Sequence, residues 1–495
     1  MRRLNIIAAT LLILIASAGT SLSQIAKRPE QLKFPELSFT VPDAGSMRFE
    51  LANGIPVYAK ADTQLPLVTV TVLFRGGAYM DPAGKEGLAS IAGEVWRTGG
   101  AGDRTAQQLD EDLDYLAADL STSIGDVSGQ VRLNVLSKDL DTAMPILIDV
   151  LTAPRFQADR FAKAKDDLIQ EMKKRNDDSA NIESREWDRL IYGDGYWINQ
   201  LPTKASVDAI TDADCKSFVT SLVKAGNVVV AVAGDFEEPA LKDLLDRTLG
   251  ALPKETAQVP PVPQPDHVQE PGVYLVDKPD VNQGRVSVGQ LGFRLGTPDE
   301  ASLLVMNDIL GGGGFTSRIT KSVRSDKGLA YSAGSYMTFP VTYPGFFRAL
   351  FQSKSRTCAG ALGITMRLIR GMGEQEVSAS ELETAKSSFL LTFPRRFESA
   401  EKTATLFAGD ELLGRPHSYW TSYRQRIAAV TADDVLRVAK DDLRPDRMAI
   451  LVVGNSEEIL KGHPDFPDKL GDFGPIHKVP LRDPLTLAPL TEEGK

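Results

Sequence analysis

The sequence predicts an α+β fold of two tandem homologous domains, and three observations carry that expectation. Two segments align without a gap at an offset of 220 residues: AITDADCKSFVTSLVKAGNVVVAVAGDFEE from Ala209, and AVTADDVLRVAKDDLRPDRMAILVVGNSEE from Ala429. Each has a threonine placed to N-cap a helix (Thr211, Thr431), an amphipathic helical pattern, and an apolar run ending in glycine (Gly234, Gly454). The period is that of a domain rather than a solenoid repeat, so it reads as an internal duplication. Strand-like runs also come in pairs ahead of the helical patterns in both halves, which favours α+β over a doubly wound parallel sheet. Finally, PKETAQVPPVPQPDHVQEPG, Pro253 to Gly272, is proline-rich and free of apolar periodicity, as expected of an extended, moderately stiff linker.

The first domain is expected over 40–252. Within it LVTVTVLF (Leu67 to Phe74) and GQVRLNVL (Gly129 to Leu136) alternate as strands do, while SKDLDTAMPILIDVLTA and QADRFAKAKDDLIQEMKKRND read as helices. The second domain is expected over 273–461, with strands RVSVGQLGF and GFFRALFQS followed by helical CAGALGITMRLIRGM and SASELETAKSSFLL. The remaining residues, 462–495, are proline-rich and expected to be irregular.

Composition narrows the function. Of 495 residues, 42% are hydrophobic and 25% charged, an ordinary globular balance for a chain of several domains. The net charge of -10 argues against nucleic-acid binding, which needs a concentrated basic surface. The opening MRRLNIIAATLLILIASAGTSLSQ sets Arg2 and Arg3 before an apolar run and small residues, the pattern of a secretory signal over residues 1–23, cleaved after Ala18 or Ser23. No later stretch is apolar and long enough to span a bilayer, so the expected mature protein is periplasmic or secreted with no stable membrane span. Cys215 and Cys358 cannot build a disulfide scaffold and read as packed thiols. The four histidines, His267, His417, His463 and His477, are too dispersed for any paired metal motif.

Two stretches carry the chemistry. GLASIAGEVWRTGG, Gly87 to Gly100, has an apolar stripe at Leu88, Ile91, Ala92 and Val95 and reads as a core helix. Gly93 inside it costs about 1 kcal/mol against alanine, which points either to a close approach by another backbone or to simple drift. GGGGFTSRITKSVRSDKGLAYSAGSY, Gly311 to Tyr336, opens on a glycine run, but no Gly-Lys-Ser/Thr follows, so it is not a phosphate loop. Nor does any Gly-x-Ser-x-Gly elbow or nearby histidine make Ser317 a hydrolase nucleophile.

Two tandem halves, the linker, the export signal and these two stretches together resemble the pitrilysin and insulinase family of zinc peptidases, from roughly Phe49 to Glu458. The family carries an inverted zinc motif, His-x-x-Glu-His, on the first helix of its first half. In that frame Ser90 takes the place of the first ligand, Gly93 that of the general base and Glu94 that of the second ligand. AKDDLIQE, Ala164 to Glu171, matches the later helix that supplies the third ligand, Glu171 keeping the last acidic position. A serine hydroxyl is a poor zinc ligand, and a glycine takes no proton from water. The resemblance therefore implies that this chain binds no zinc of its own and has no catalytic residue acting alone. In the second half, by contrast, the family's Gly-Gly-x-x-Ser-Arg and Arg-x-x-x-Gly-Leu-Ala-Tyr patterns are intact. Arg324 and Tyr331 fall on the family's substrate-binding pair, Arg to hold a peptide carboxylate or carbonyl and Tyr to donate to an oxyanion.

The resemblance implies a non-catalytic, substrate-binding subunit of an exported metallopeptidase acting on unfolded peptides. Its partner is expected to be a homologous subunit that bears the zinc. Two other readings follow from the same fold: a structural or assembly protein with no part in proteolysis, as some family members are in respiratory complexes, and a hydrolase using Glu94 and Glu171 on a different metal.

Overall fold

The computed structural model describes residues 38–490, so the expected signal segment lies outside the described residues. Val41 onward forms one compact unit that contains both halves. The strands are β1 (Arg48–Glu50), β2 (Pro56–Ala61), β3 (Leu67–Arg75), β4 (Asp119–Ile124), β5 (Ser128–Leu136), β6 (Val228–Gly234), β7 (Gly272–Asp277), β8 (Gln283–Leu291), β9 (Ala330–Met337), β10 (Phe346–Lys354), β11 (Ala449–Gly454) and β12 (Ile476–Val479). The helices of the first half are α1 (Leu88–Thr98), α2 (Ala106–Tyr115), α3 (Leu140–Thr152), α4 (Ala158–Lys173), α5 (Ser179–Tyr192), α6 (Lys204–Ala209), α7 (Asp212–Leu222) and α8 (Glu238–Arg247). Those of the second are α9 (Glu300–Asn307), α10 (Cys358–Met372), α11 (Ala379–Thr392), α12 (Ala400–Leu413), α13 (Ser418–Ala429), α14 (Ala432–Asp441) and α15 (Ser456–Lys461).

The duplication is visible strand by strand. One sheet runs β1-β2-β6-β3-β5-β4 and the other β12-β7-β11-β8-β10-β9. In each, the second and third strands are parallel and every later pair is antiparallel. At the repeat itself, Thr211 and Thr431 both accept from the backbone N–H three residues on, and Asp214 and Asp434 answer through their carboxylates, so α7 and α14 begin with the same capping box. The sheets differ only at their outer strand. β1 folds back on β2 as a hairpin, whereas β12 comes from the tail and lies parallel to β7.

The tail is thus not wholly irregular. After β12 it crosses to the first half, where Asn176 and Arg175 donate to the carbonyls of Arg482 and Pro484, and the Lys204 backbone N–H donates to the Leu485 carbonyl. The linker, short of N–H donors because of its prolines, is held through its carbonyls: Tyr79 donates to Pro260 and Tyr196 to Pro263.

The two sequence halves are not self-contained units. Each sheet takes a helix from the other half. α5 lies on β8 and β11, and its Ile182, Trp187, Ile191 and Tyr192 share a core with Val276, Leu451 and Val453. α12 lies on β2, β3 and β6, where Ala400, Ala404 and Ala408 recur every four residues and allow a close approach of helix to sheet. Beside it Phe407 meets the ring of Tyr58 at 6.3 Å. Tyr58 also donates to Glu411 and contacts His417 Nε2 at 3.0 Å, while Arg48 grips the same Glu411 carboxylate at 2.8 and 2.9 Å. Sequence boundaries set at 252 and 273 mark the linker, not the limits of packing.

Candidate functional site

α1 keeps the packing of a zinc-peptidase helix without its chemistry. Leu88, Ile91, Ala92 and Val95 are all buried, as the apolar stripe predicts. Gly87 has no side chain to cap the helix, and Asp81 supplies the cap instead, accepting from the N–H groups of Gly87 and Ala89 at 2.8 and 2.9 Å. Burial pushes the Asp81 carboxyl up to about 6.

Gly93 is buried against the edge strand β4. Thr122 donates to its carbonyl at 2.6 Å, and a Cβ at this position would sit 2.9 Å from the backbone nitrogen of Ile124. The space that would carry a general base is filled by the neighbouring strand. Ser90 and Glu94 are exposed on the other side of α1, and Glu171 is exposed on α4. Partial burial raises the Glu94 carboxyl, the charges of Asp167 and Glu171 add to that, and Lys163, itself paired with Asp167, opposes it. Ser90, Glu94 and Glu171 offer one hydroxyl and two carboxylates. Among the described residues no group of three or more His, Cys, Asp or Glu side chains could hold a metal ion. The residues present do not fit the family's zinc.

The second half is built differently. The glycine run lies under β9, and a Cβ on Gly311 would meet the Ser335 backbone nitrogen at 2.4 Å. These glycines serve a close backbone approach. Ser317 is buried, its hydroxyl donating to the Gly314 carbonyl and to Thr320 Oγ1, and Thr320 in turn donates to the Ala333 carbonyl on β9. Arg318 forms a two-pronged pair with Glu381 of α11 at 2.7 and 3.0 Å. Ser317 and Arg318 therefore anchor the loop.

Above this base a wide helical turn, Thr320–Asp326, carries Arg324. The chain then reverses at Gly328, whose φ of 62° is left-handed. The Leu329 N–H returns to the Val323 carbonyl and the Gly328 N–H to that of Arg324, so the turn closes and feeds straight into β9. Tyr331 stands at the head of that edge strand, 85% exposed. The Arg324 guanidinium lies 5.0 Å from the Tyr331 ring centre and 4.6 Å from that of Phe315. It is a cation held between two rings, with no carboxylate partner among the described residues.

The structure thus brings Arg324 and Tyr331 together, and adds Phe315, which sequence reading passed over although it stands inside the quoted glycine motif. Phe315 is 68% exposed, and its place in a loop of glycines gave no sign of the cation it faces. Glu94 and Glu171 are electrostatic neighbours in the first half. No described hydrogen bond, ion pair or ring contact joins them to the Arg324 group.

Duplicated α+β halves, an emptied zinc position and an intact arginine–tyrosine pair define a peptidase-fold protein that lacks the side chains for metal-assisted hydrolysis. Comparison with known proteins agrees. The model for the insulinase family, peptidase family M16, matches residues 57–200, and that for the M16 inactive domain matches 209–389. The chain belongs to peptidase family M16. The non-peptidase homolog YmxG of Helicobacter pylori is 23% identical over 408 residues, covering 82% of this chain and 93% of that protein. The structure of an M16 inactive domain from Pseudomonas fluorescens matches with a TM-score of 0.74 at 23% identity, over 83% of this chain and 97% of that one. The periplasmic protease PqqL of Escherichia coli matches with a TM-score of 0.71 at 15% identity, over 82% of this chain but only 45% of its own.

Proposed function

We propose that this chain is the non-catalytic, peptide-binding subunit of an exported zinc peptidase, and that Arg324 and Tyr331 act in trans on peptide held at the zinc of a homologous sibling. The observation that carries the reading is the Arg324 guanidinium, in contact with the rings of Phe315 and Tyr331 and with no carboxylate partner among the described residues. A guanidinium so placed can receive a peptide carbonyl or carboxylate with its planar fork. The exposed Tyr331 hydroxyl beside it can donate to an oxyanion. Neither group cleaves a peptide without a metal-bound water, and the first half does not provide one.

The division of labour also draws support from size. The PqqL match spans less than half of that protease, so a fold of this extent recurs there as one part of a longer chain. Two separate chains, one with zinc and one with the clamp, would compose a comparable chamber, admitting unfolded peptides. The proposed site of action is the periplasm or the medium, from the signal-like start of the sequence.

The test is to co-purify the chain with a sibling bearing His-x-x-Glu-His and assay peptide cleavage. Arg324→Ala and Tyr331→Phe are each expected to lower kcat/KM by about 100- to 1000-fold, the range of a lost oxyanion donor. Unchanged kcat/KM in both variants sinks the role in trans.

A further inference from the structure

A cavity of about 820 Å³ opens at the end of the second sheet, beside the Arg324 turn. Its wall includes Gly328 and Leu329, the two residues that close that turn and lead through Ala330 to Tyr331. Ser353 fixes this wall, donating to the Leu329 carbonyl at 2.8 Å and sharing a hydrogen bond with Thr357. The cavity is therefore continuous in backbone with the clamp.

Its lining sets two basic side chains, Lys354 and Arg356, against two acidic ones, Asp280 and Glu458. Both acids are paired: Asp280 with Lys278 at 2.8 Å, and Glu458 with Arg356 at 3.5 Å and with Lys461 at 2.5 Å, a lysine it shares with Glu457, which leaves Lys354 as the surplus charge. Lys354, exposed at the end of β10, has no partner for its ammonium among the described residues. His463 accepts from the Asp465 N–H through Nδ1, which leaves Nε2 as a donor. Ser355 lines the same cavity, is only 5% exposed, and has a hydroxyl with no hydrogen-bond partner among the described residues. A buried hydroxyl without a partner costs about 1–3 kcal/mol, and a bound acceptor would recover it. The turn that bears Ser355 leads into α10, which has no acid in its first turn and no side-chain cap, so its positive end adds to the field.

We infer that this cavity is a subsite for a carboxylate carried by the bound peptide, with Lys354 as its principal counter-charge and Ser355 and His463 as donors. The inference rests on the reading of Arg324 and Tyr331 as a peptide clamp and names the chemistry sought next to it. A carboxylate has two sources in a peptide, the chain end and an acidic side chain.

The experiment measures binding of three fluorescent peptides to the purified full chain: a free acid, its C-terminal amide, and an amide ending in Glu. The free acid is expected to bind about tenfold more tightly than the plain amide, as befits one charge-assisted pair. Lys354→Ala should abolish that preference, Lys354→Arg retain it and Ser355→Ala narrow it; Lys354 is exposed, so its variants should melt like the parent. Recovery of affinity by the Glu-ended amide assigns the carboxylate to a side chain, and recovery by the free acid alone assigns it to the chain end. Equal binding of acid and amide, or a preference that survives Lys354→Ala, overturns the inference. If Arg324→Ala weakens all three peptides while none reads the carboxylate, the clamp stands and the subsite falls. If the Lys354-dependent preference exists but Arg324→Ala changes nothing, the subsite stands and the clamp falls. No binding of any peptide overturns both.

Discussion

Gly93 and Ile124 leave no room between them: a Cβ on the glycine would lie 2.9 Å from the backbone nitrogen of the isoleucine. Gly93→Ala gains about 1 kcal/mol of helix propensity but forces β4 away from α1, and overpacking of this kind costs about 1–3 kcal/mol. The expected net result is destabilisation in a denaturant titration, and a stabilised variant would show that β4 yields freely. Rebuilding His-x-x-Glu-His with Ser90→His, Gly93→Glu and Glu94→His should consequently give a less stable chain that still shows no peptidase activity.

Removing a covering helix from its borrowed sheet should be felt across the molecule. Trp187 is fully buried on α5, edge-on to Phe346 and under the Arg348 guanidinium at 4.8 Å. Trp187→Ala is expected to cost about 3–5 kcal/mol. Because α5 and α12 are exchanged, the wild-type chain should melt in one transition, and residues 40–252 or 273–461 expressed alone should bind a hydrophobic dye through an uncovered sheet. Two separate transitions by calorimetry would contradict this.

The Arg318–Glu381 pair ties the glycine loop to α11, and the Arg318 guanidinium holds the Glu381 carboxyl down at about 2 from an ordinary 4.5. A carboxyl whose folded value is depressed adds stability above its unfolded value and loses it as pH falls through the folded one. The contribution is therefore whole above about pH 4.5 and vanishes towards pH 2. Glu381→Gln should be less stable than the parent at neutral pH and converge on it across that window, as followed by thermal melting.

Phe315 covers one face of the Arg324 guanidinium, the group proposed to hold peptide. Phe315→Ala removes a cation–π contact worth about 0.5–1 kcal/mol at an exposed site, so peptide affinity should fall about two- to fivefold. Phe315→Leu, which keeps bulk but no ring quadrupole, should fall nearly as far. Retained affinity in the leucine variant would show that Phe315 acts by shape alone.

Much of this was legible in the sequence because it depends on local pattern. The period-two runs at β3, β5, β8 and β10 and the helices of α3, α4, α10 and α11 stand where alternation and helical spacing put them. Thr211 and Thr431 cap as their residue type demands. Of the two readings open at Gly93, close approach or drift, the structure has the close approach, against the Ile124 backbone. What escaped was partnership. The apolar faces of α5 and α12 announce burial but not which sheet buries them, and an exchange between halves leaves no periodic trace. β12 is four residues, Ile-His-Lys-Val, too short and too polar to read as a strand, and is made by the neighbour it pairs with. Phe315 was hidden because an aromatic in a loop means nothing until the cation it faces is known.

The exchange of α5 and α12 has a consequence in time. β6 completes the middle of the first sheet at Gly234, yet the helix that roofs it begins at Ala400. During synthesis from the amino end, the face of the first sheet that α12 covers gains its roof only after residues up to Leu413 have emerged, about three-quarters as much chain again as ends at Gly234. The halves cannot fold in turn as each becomes available. The first sheet is covered on both faces only once the second half is present.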